Sequence, residues 1–315
     1  MRDQDPITVQ TVAGDDTFLV TSHLGRSGSD ELVVCFGYQG TGIAPTGFGI
    51  DFLTQRGYDA VYVANRWKSS YQGLSAGMLA DVLAPLVQGH KVFTYGSSLG
   101  GYCALYYAGV LSARALALSP RNVLCPRDPE AFDPAAHPEW THKLHLTDVP
   151  QSPHRPTIVF DNMHPRDSSF VRTWALPAYP DAREVHVPLS GHHTGPRLHA
   201  MGKLKGLVLA MLRDEALPDR INGFPEGSAQ LATVAFREAM SGGDPVQARA
   251  AAFGIAGAGA SSTVLKHIWK FAMAHKDLEL CQQLVNAAGS AQHGGDLKAT
   301  GILRAGRKMG LTPTV

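Results

Sequence analysis

Between two apolar runs, Val92-Phe93-Thr94-Tyr95 and Tyr102-Cys103-Ala104-Leu105-Tyr106-Tyr107-Ala108, the chain reads Gly96-Ser97-Ser98-Leu99-Gly100-Gly101. A strand that turns at once into a helix leaves no room for side chains around the corner, so small residues must flank it and the apex residue is strained. Gly96 and Gly100 meet that demand at the spacing G-x-S-x-G, and Gly101 extends it. The same letters could describe a glycine-rich turn with an incidental serine. The strand before it and the helix after it favour a corner that presents Ser98.

The alternation this corner requires runs through most of the chain. Ile7 to Val12 and Thr17 to Thr21 are β-branched runs separated by Ala13-Gly14-Asp15-Asp16, which predicts an antiparallel hairpin. Glu31 to Phe36 is a continuous apolar strand suited to cover on both faces. Ile50 to Gly57 reads as a short helix and Tyr58 to Val63 as a strand. Helical spacing from Leu74 to Val87 leads into the strand Lys91 to Tyr95, and the helix after the corner is expected from about Ser98 to Leu111. Ala115 to Ser119 is a strand stopped by Pro120; Thr157 to Phe160 and Glu184 to Leu189 are the last two, flanking Ser168 to Ala178, and Leu204 to Leu212 is a closing helix. Residues 121–156, rich in Pro, Asp and His, have the make-up of a loop or small cap over the sheet's carboxyl edge. The order predicts an α/β fold with a mostly parallel sheet and an antiparallel start.

Past Pro218, Gly223, Pro225 and Gly227 the strand signals cease, so a first domain over 1–217 and a helical domain over 218–315 are expected. Ala239, Ala272 and Ala305 recur at steps of 33. That period suggests tetratricopeptide-like helical repeats, although the Trp, Leu-Gly and Tyr pattern of that repeat is missing; a plain helical extension is the other reading. A repeat stack would offer a partner-binding or self-associating surface.

Bulk properties narrow the function. Net charge is +1, from 28 basic and 27 acidic residues without a basic run, which leaves no footprint for nucleic acid. The polar start Met1 to Pro6 and the lack of a bilayer-length apolar run argue against secretion and membrane insertion. Cys35, Cys103, Cys125 and Cys281 show no C-x-x-C spacing, and a reducing cytoplasm is expected.

A serine hydroxyl is a weak nucleophile unless a base lies within hydrogen-bond reach and a third group holds that base. After the last strand comes Ser190-Gly191-His192-His193-Thr194-Gly195; His192 is the first candidate for the base and His193 the reserve. The acid should follow the preceding strand, where Asp161 and Asp167 compete. Asp161 could instead satisfy loop amides, and Asp167 could instead cap a helix beginning at Ser168; Asp167 is preferred for its longer reach. The Leu99 N–H is one candidate donor to a developing oxyanion, and the Tyr38 N–H in Phe36-Gly37-Tyr38-Gln39-Gly40-Thr41-Gly42 the second, unless that stretch is only a flexible turn. Arg66 to Gln72 could line a pocket, or be a solvated loop with Trp67 covering the core. His142 with His145, and His192, His193 and His199, do not have recognised zinc spacing, so neither metal nor cofactor is expected.

With Gly96-Ser97-Ser98-Leu99-Gly100, then an Asp, then Gly191-His192, residues 7 to 213 resemble the α/β-hydrolase superfamily. The resemblance implies a parallel sheet with helices on both faces and a serine esterase or thioesterase in which Ser98 attacks an acyl carbonyl, His192 relays the proton and Asp167 orients the imidazole. Many members carry His-Gly at the oxyanion loop, where this chain has Phe36-Gly37. An acyltransferase with the same triad, and a non-catalytic scaffold with a helical partner-binding tail, are the alternatives.

Overall fold

The computed structural model describes residues 6–25, 28–67, 69–122, 144–290 and 296–314. The chain divides into two compact units, Met1–Ile221 and Asn222–Val315.

In the first unit the described strands are β1 (Ile7–Gly14), β2 (Phe18–Gly25), β3 (Glu31–Phe36), β4 (Asp59–Asn65), β5 (Lys91–Ser97), β6 (Arg114–Leu118), β7 (Thr157–Phe160) and β8 (Arg183–His186). They form one sheet in the order β1-β2-β4-β3-β5-β6-β7-β8. The β1–β2 and β2–β4 pairings are antiparallel and the rest parallel, as the sequence order leads one to expect. Side-chain alternation splits the central strands between two cores. Val34 and Phe36 of β3 and Val61 and Val63 of β4 face one core, while Val33, Cys35, Ala60 and Tyr62 face the other.

Helices close both faces. The first core takes α2 (Ala76–Val87) through Leu79 and Leu83, and α3 (Leu99–Tyr106) through Leu99, Tyr102 and Cys103. Trp174 and Ala175, in a π-helical turn (Val171–Ala175) between α4 (Pro165–Phe170) and α5 (Leu176–Ala178), lie in the same core. On the other face stand α1 (Ile50–Thr54), through Leu53, and α7 (Leu204–Leu212), through Leu207, Val208 and Met211. A further helix, α6 (Thr194–Ala200), follows β8 and precedes α7. Its segment, Thr194-Gly195-Pro196-Arg197-Leu198-His199-Ala200, has no apolar periodicity to announce it.

Local outcomes differ from the sequence expectation in readable ways. Ser75 caps α2 by accepting the Met78 N–H at 3.1 Å, which sets the start at Ala76 rather than Leu74. The helix after the corner stops at Tyr106 instead of Leu111. Trp67 is 63% exposed. Of the cap expected over 121–156, residues 123–143 and with them Cys125 and His142 lie outside the described residues. Cys35, Cys103 and Cys281 are buried free thiols, and burial pushes each of them above the usual thiol range. No helix among the described residues is long and apolar enough to cross a membrane.

The second unit holds α8 (Ala229–Ser241), α9 (Pro245–Gly257), α10 (Ser262–Ala274), α11 (Leu278–Gly289) and α12 (Leu297–Lys308). α8 packs on α9, α10 on α11, and α11 against both α9 and α12. Asp244 and Asp277, at equivalent points of the 33-residue step, cap α9 and α11 by accepting first-turn amides.

Candidate active site

The corner is built by sterics. Ser98 stands between β5 and α3 with φ 57° and ψ −118°, a positive-φ backbone that a side-chain-bearing residue adopts only when its surroundings impose it. A methyl group on Gly96 would land on the Gly100 carbonyl, and one on Gly100 on the Phe36 carbonyl. On Gly101 it would stand 2.9 Å from the Leu118 oxygen. Strand and helix touch backbone to backbone at each of these three points, which is why all three are glycine. The Ser98 amide donates to Leu118 O at 2.9 Å, and its carbonyl accepts the Arg121 N–H at 3.1 Å, so strand β6 braces the apex from the side.

Two loops at the same edge supply its partners. Ser98 Oγ lies 2.7 Å from His192 Nε2, and His192 Nδ1 lies 2.9 Å from both oxygens of Asp167. An ionised carboxylate only accepts, so Nδ1 carries the ring proton and Nε2 is left to accept from the serine hydroxyl. Asp167 is fully buried, with Arg121 NH1 3.6 Å and His164 Nδ1 3.3 Å from its Oδ1. The His164 contact is too bent for a hydrogen bond and leaves that buried nitrogen unsatisfied.

The eight-stranded order, the antiparallel start and the strained serine between β5 and α3 together decide the architecture. The fold is that of the α/β-hydrolases. No family model matches the chain, and no curated protein does. Among solved structures it is similar to Est1E from Butyrivibrio proteoclasticus (13% identity, 65% of this chain and 99% of that one, TM-score 0.42). It is also similar to a dienelactone hydrolase from Anabaena variabilis (14%, 68% and 100%, 0.43) and to the esterase Pf2001 from Pyrococcus furiosus (13%, 67% and 93%, 0.44).

Of the two carboxylates that compete in the sequence, Asp167 is the one at the imidazole. It is not a helix cap: α4 starts at Pro165 behind His164, and Asp167 sits inside the first turn with its side chain turned inward. Asp161 accepts the Gly191 N–H through Oδ2 and the Met163 N–H through Oδ1, both at 2.9 Å, and so ties the acid loop to the residue before His192. A chain of hydroxyls holds the histidine loop from the other side. Ser119 Oγ donates to Thr194 Oγ1 at 2.8 Å, and Thr194 Oγ1 lies 2.8 Å from Ser190 Oγ, which donates to Val187 O. Sequence reasoning assigned no role to Arg121, His164, Ser119 or Thr194. Arg121 and Ser119 sit directly behind β6 at the carboxyl edge, which is the one signal that could have drawn attention to them.

His193 is exposed, its ring centre 6.1 Å from that of His192. Leu99 stands at the first position of α3, where a helix leaves its amides unpaired. Tyr38 follows Gly37, whose N–H donates to Val63 O at 3.1 Å, while the Tyr38 carbonyl accepts the Thr41 N–H at 3.2 Å. The Gly100 contact with the Phe36 carbonyl sets this loop against the first turn of α3.

Proposed function

We propose that the protein is a serine hydrolase that cleaves an ester or thioester through an acyl-enzyme on Ser98. The observation that carries this reading is the unbroken hydrogen-bond chain from Ser98 Oγ through His192 to the buried Asp167. Attack by Oγ on the acyl carbonyl sends its proton to Nε2, and the imidazolium so formed faces a carboxylate that cannot turn to water. The oxyanion of the tetrahedral intermediate takes the Leu99 N–H, at the positive end of α3, and the Tyr38 N–H. His192 then returns the proton to the leaving group, and water, activated by the same imidazole, releases the acyl chain. The strained Ser98 presents its Oγ to His192 Nε2, and that pairing supports an enzyme over a scaffold.

Hydrolysis of short p-nitrophenyl esters tests the reading. The wild type gives a burst of nitrophenolate equal to the enzyme concentration, followed by steady turnover, and Ser98→Ala lowers kcat by about 10³-fold or more. Turnover that survives Ser98→Ala would reject it.

A further inference from the structure

Tyr71 occupies an unusual position. It is completely buried and has φ 62°, and the preceding Ser70, also buried, has φ 50°. Two consecutive non-glycine residues in the left-handed region are strained, so the surroundings must hold them there. What the strain accomplishes is visible at the end of the side chain. Tyr71 Oη shares its one proton between two carbonyls, Val63 O at 2.8 Å and Gly37 O at 3.0 Å. Burial pushes the phenol well above its usual range, so it remains a neutral donor throughout the working pH.

The Gly37 carbonyl and the Tyr38 N–H belong to one planar trans peptide unit and point in opposite directions. A hydroxyl that fixes the first fixes the second. Tyr71 draws the carbonyl toward the core, where its ring packs edge-on against Phe36 at 6.0 Å, so that the Tyr38 N–H is turned away from that core. Gly37 itself lies close against its neighbours, since a methyl group there would stand 2.5 Å from Thr41 Oγ1 and 2.8 Å from Tyr62 Oη. The glycine that lets the loop approach the sheet gives the peptide freedom to flip, and the tyrosine removes that freedom.

We propose that Tyr71 is a positioning residue that orients the Gly37–Tyr38 peptide so that its N–H serves the oxyanion. The role rests on the hydrolase reading of Ser98, but the orientation of the peptide does not. Tyr71→Phe keeps the ring and removes the hydroxyl. It lowers kcat for a p-nitrophenyl ester about tenfold with KM within about twofold, and it weakens inhibition by a trifluoromethyl ketone, which forms a tetrahedral adduct, by the same factor. A reading independent of activity comes from the ¹⁵N-labelled Tyr38 amide, which is a single sharp cross-peak in the wild type and shifts or broadens in Tyr71→Phe. Placing 3-fluorotyrosine at position 71 retains packing and strengthens the donor; it moves the same cross-peak even if the Phe variant does not fold. An unmoved Tyr38 amide, or a folded Tyr71→Phe enzyme with unchanged kcat and ketone affinity, overturns the proposal. A wild type inactive toward every ester, with the amide shifted in the variant, would count against the hydrolase reading alone.

Discussion

Ser98 is held by its neighbours rather than by its own preference, and the glycines around it show how little tolerance remains. Gly100→Ala places a methyl on the Phe36 carbonyl and is expected to destabilise the first unit by about 3 kcal/mol, read as a fall in the denaturation midpoint at unchanged m-value. The spacing of those glycines made the corner legible in the sequence, because steric exclusion depends on residue identity alone. The preference for Asp167 over Asp161 rested on loop reach alone: both follow β7, and the fold brings Asp167 to an imidazole and Asp161 to two amides. Asp161→Ala leaves the Gly191 and Met163 amides without their acceptor. That variant should lose about 1–3 kcal/mol in thermal or chemical denaturation and also kcat, while KM stays within about twofold. Tyr71 was hidden, since nothing in a string of letters signals a tyrosine in the left-handed region.

Strands and helices were read best where burial imposes a pattern over many residues. The alternating apolar faces of β3 and β4 identify a doubly covered sheet, and Gly and Pro punctuation marks most of the connections. α6 escaped because Gly195 and Pro196 sit inside it, and the pairing of β2 with β4 rather than β3 is a long-range contact that no local signal encodes. In the helical unit the 33-residue step carries down to the turns. Gly243 ends the α8–α9 link at φ 69°, and the equivalent residue, Lys276, adopts φ 53° without being glycine. Lys276→Gly is therefore expected to stabilise the unit by about 0.5–1 kcal/mol, measured as a raised melting temperature. Asp277, one residue on, has its carboxyl held below the usual range by the Arg249 guanidinium, whose Nε lies 2.5 Å from Oδ2. A depressed folded-state pKa contributes stability that is full above the unfolded value near ~3.9 and disappears as pH falls through the folded value. The advantage of wild type over Asp277→Asn should thus be present at neutral pH and shrink as the solution is acidified below about pH 4.

At the scale of the whole molecule, each unit closes its own core, and the segment 222–228 that opens the second unit holds neither strand nor helix. Limited proteolysis is expected to cut there before it cuts the strands of the first unit or the helices of the second. The shift in composition from strand-bearing to helix-only sequence was readable beforehand; the Ser98–His192–Asp167 geometry lies within the first unit, assembled from loops after β5, β7 and β8, with Ser98 94 residues from His192 and His192 25 residues from Asp167. The account comes down to whether Ser98 is an activated nucleophile. Reaction with a fluorophosphonate, followed by intact mass and peptide mapping, measures that directly. The account predicts one adduct per chain on Ser98, abolished in Ser98→Ala and slowed in His192→Ala by at least about 10³-fold. A folded wild-type protein that takes no adduct, or takes it on another residue, would contradict it.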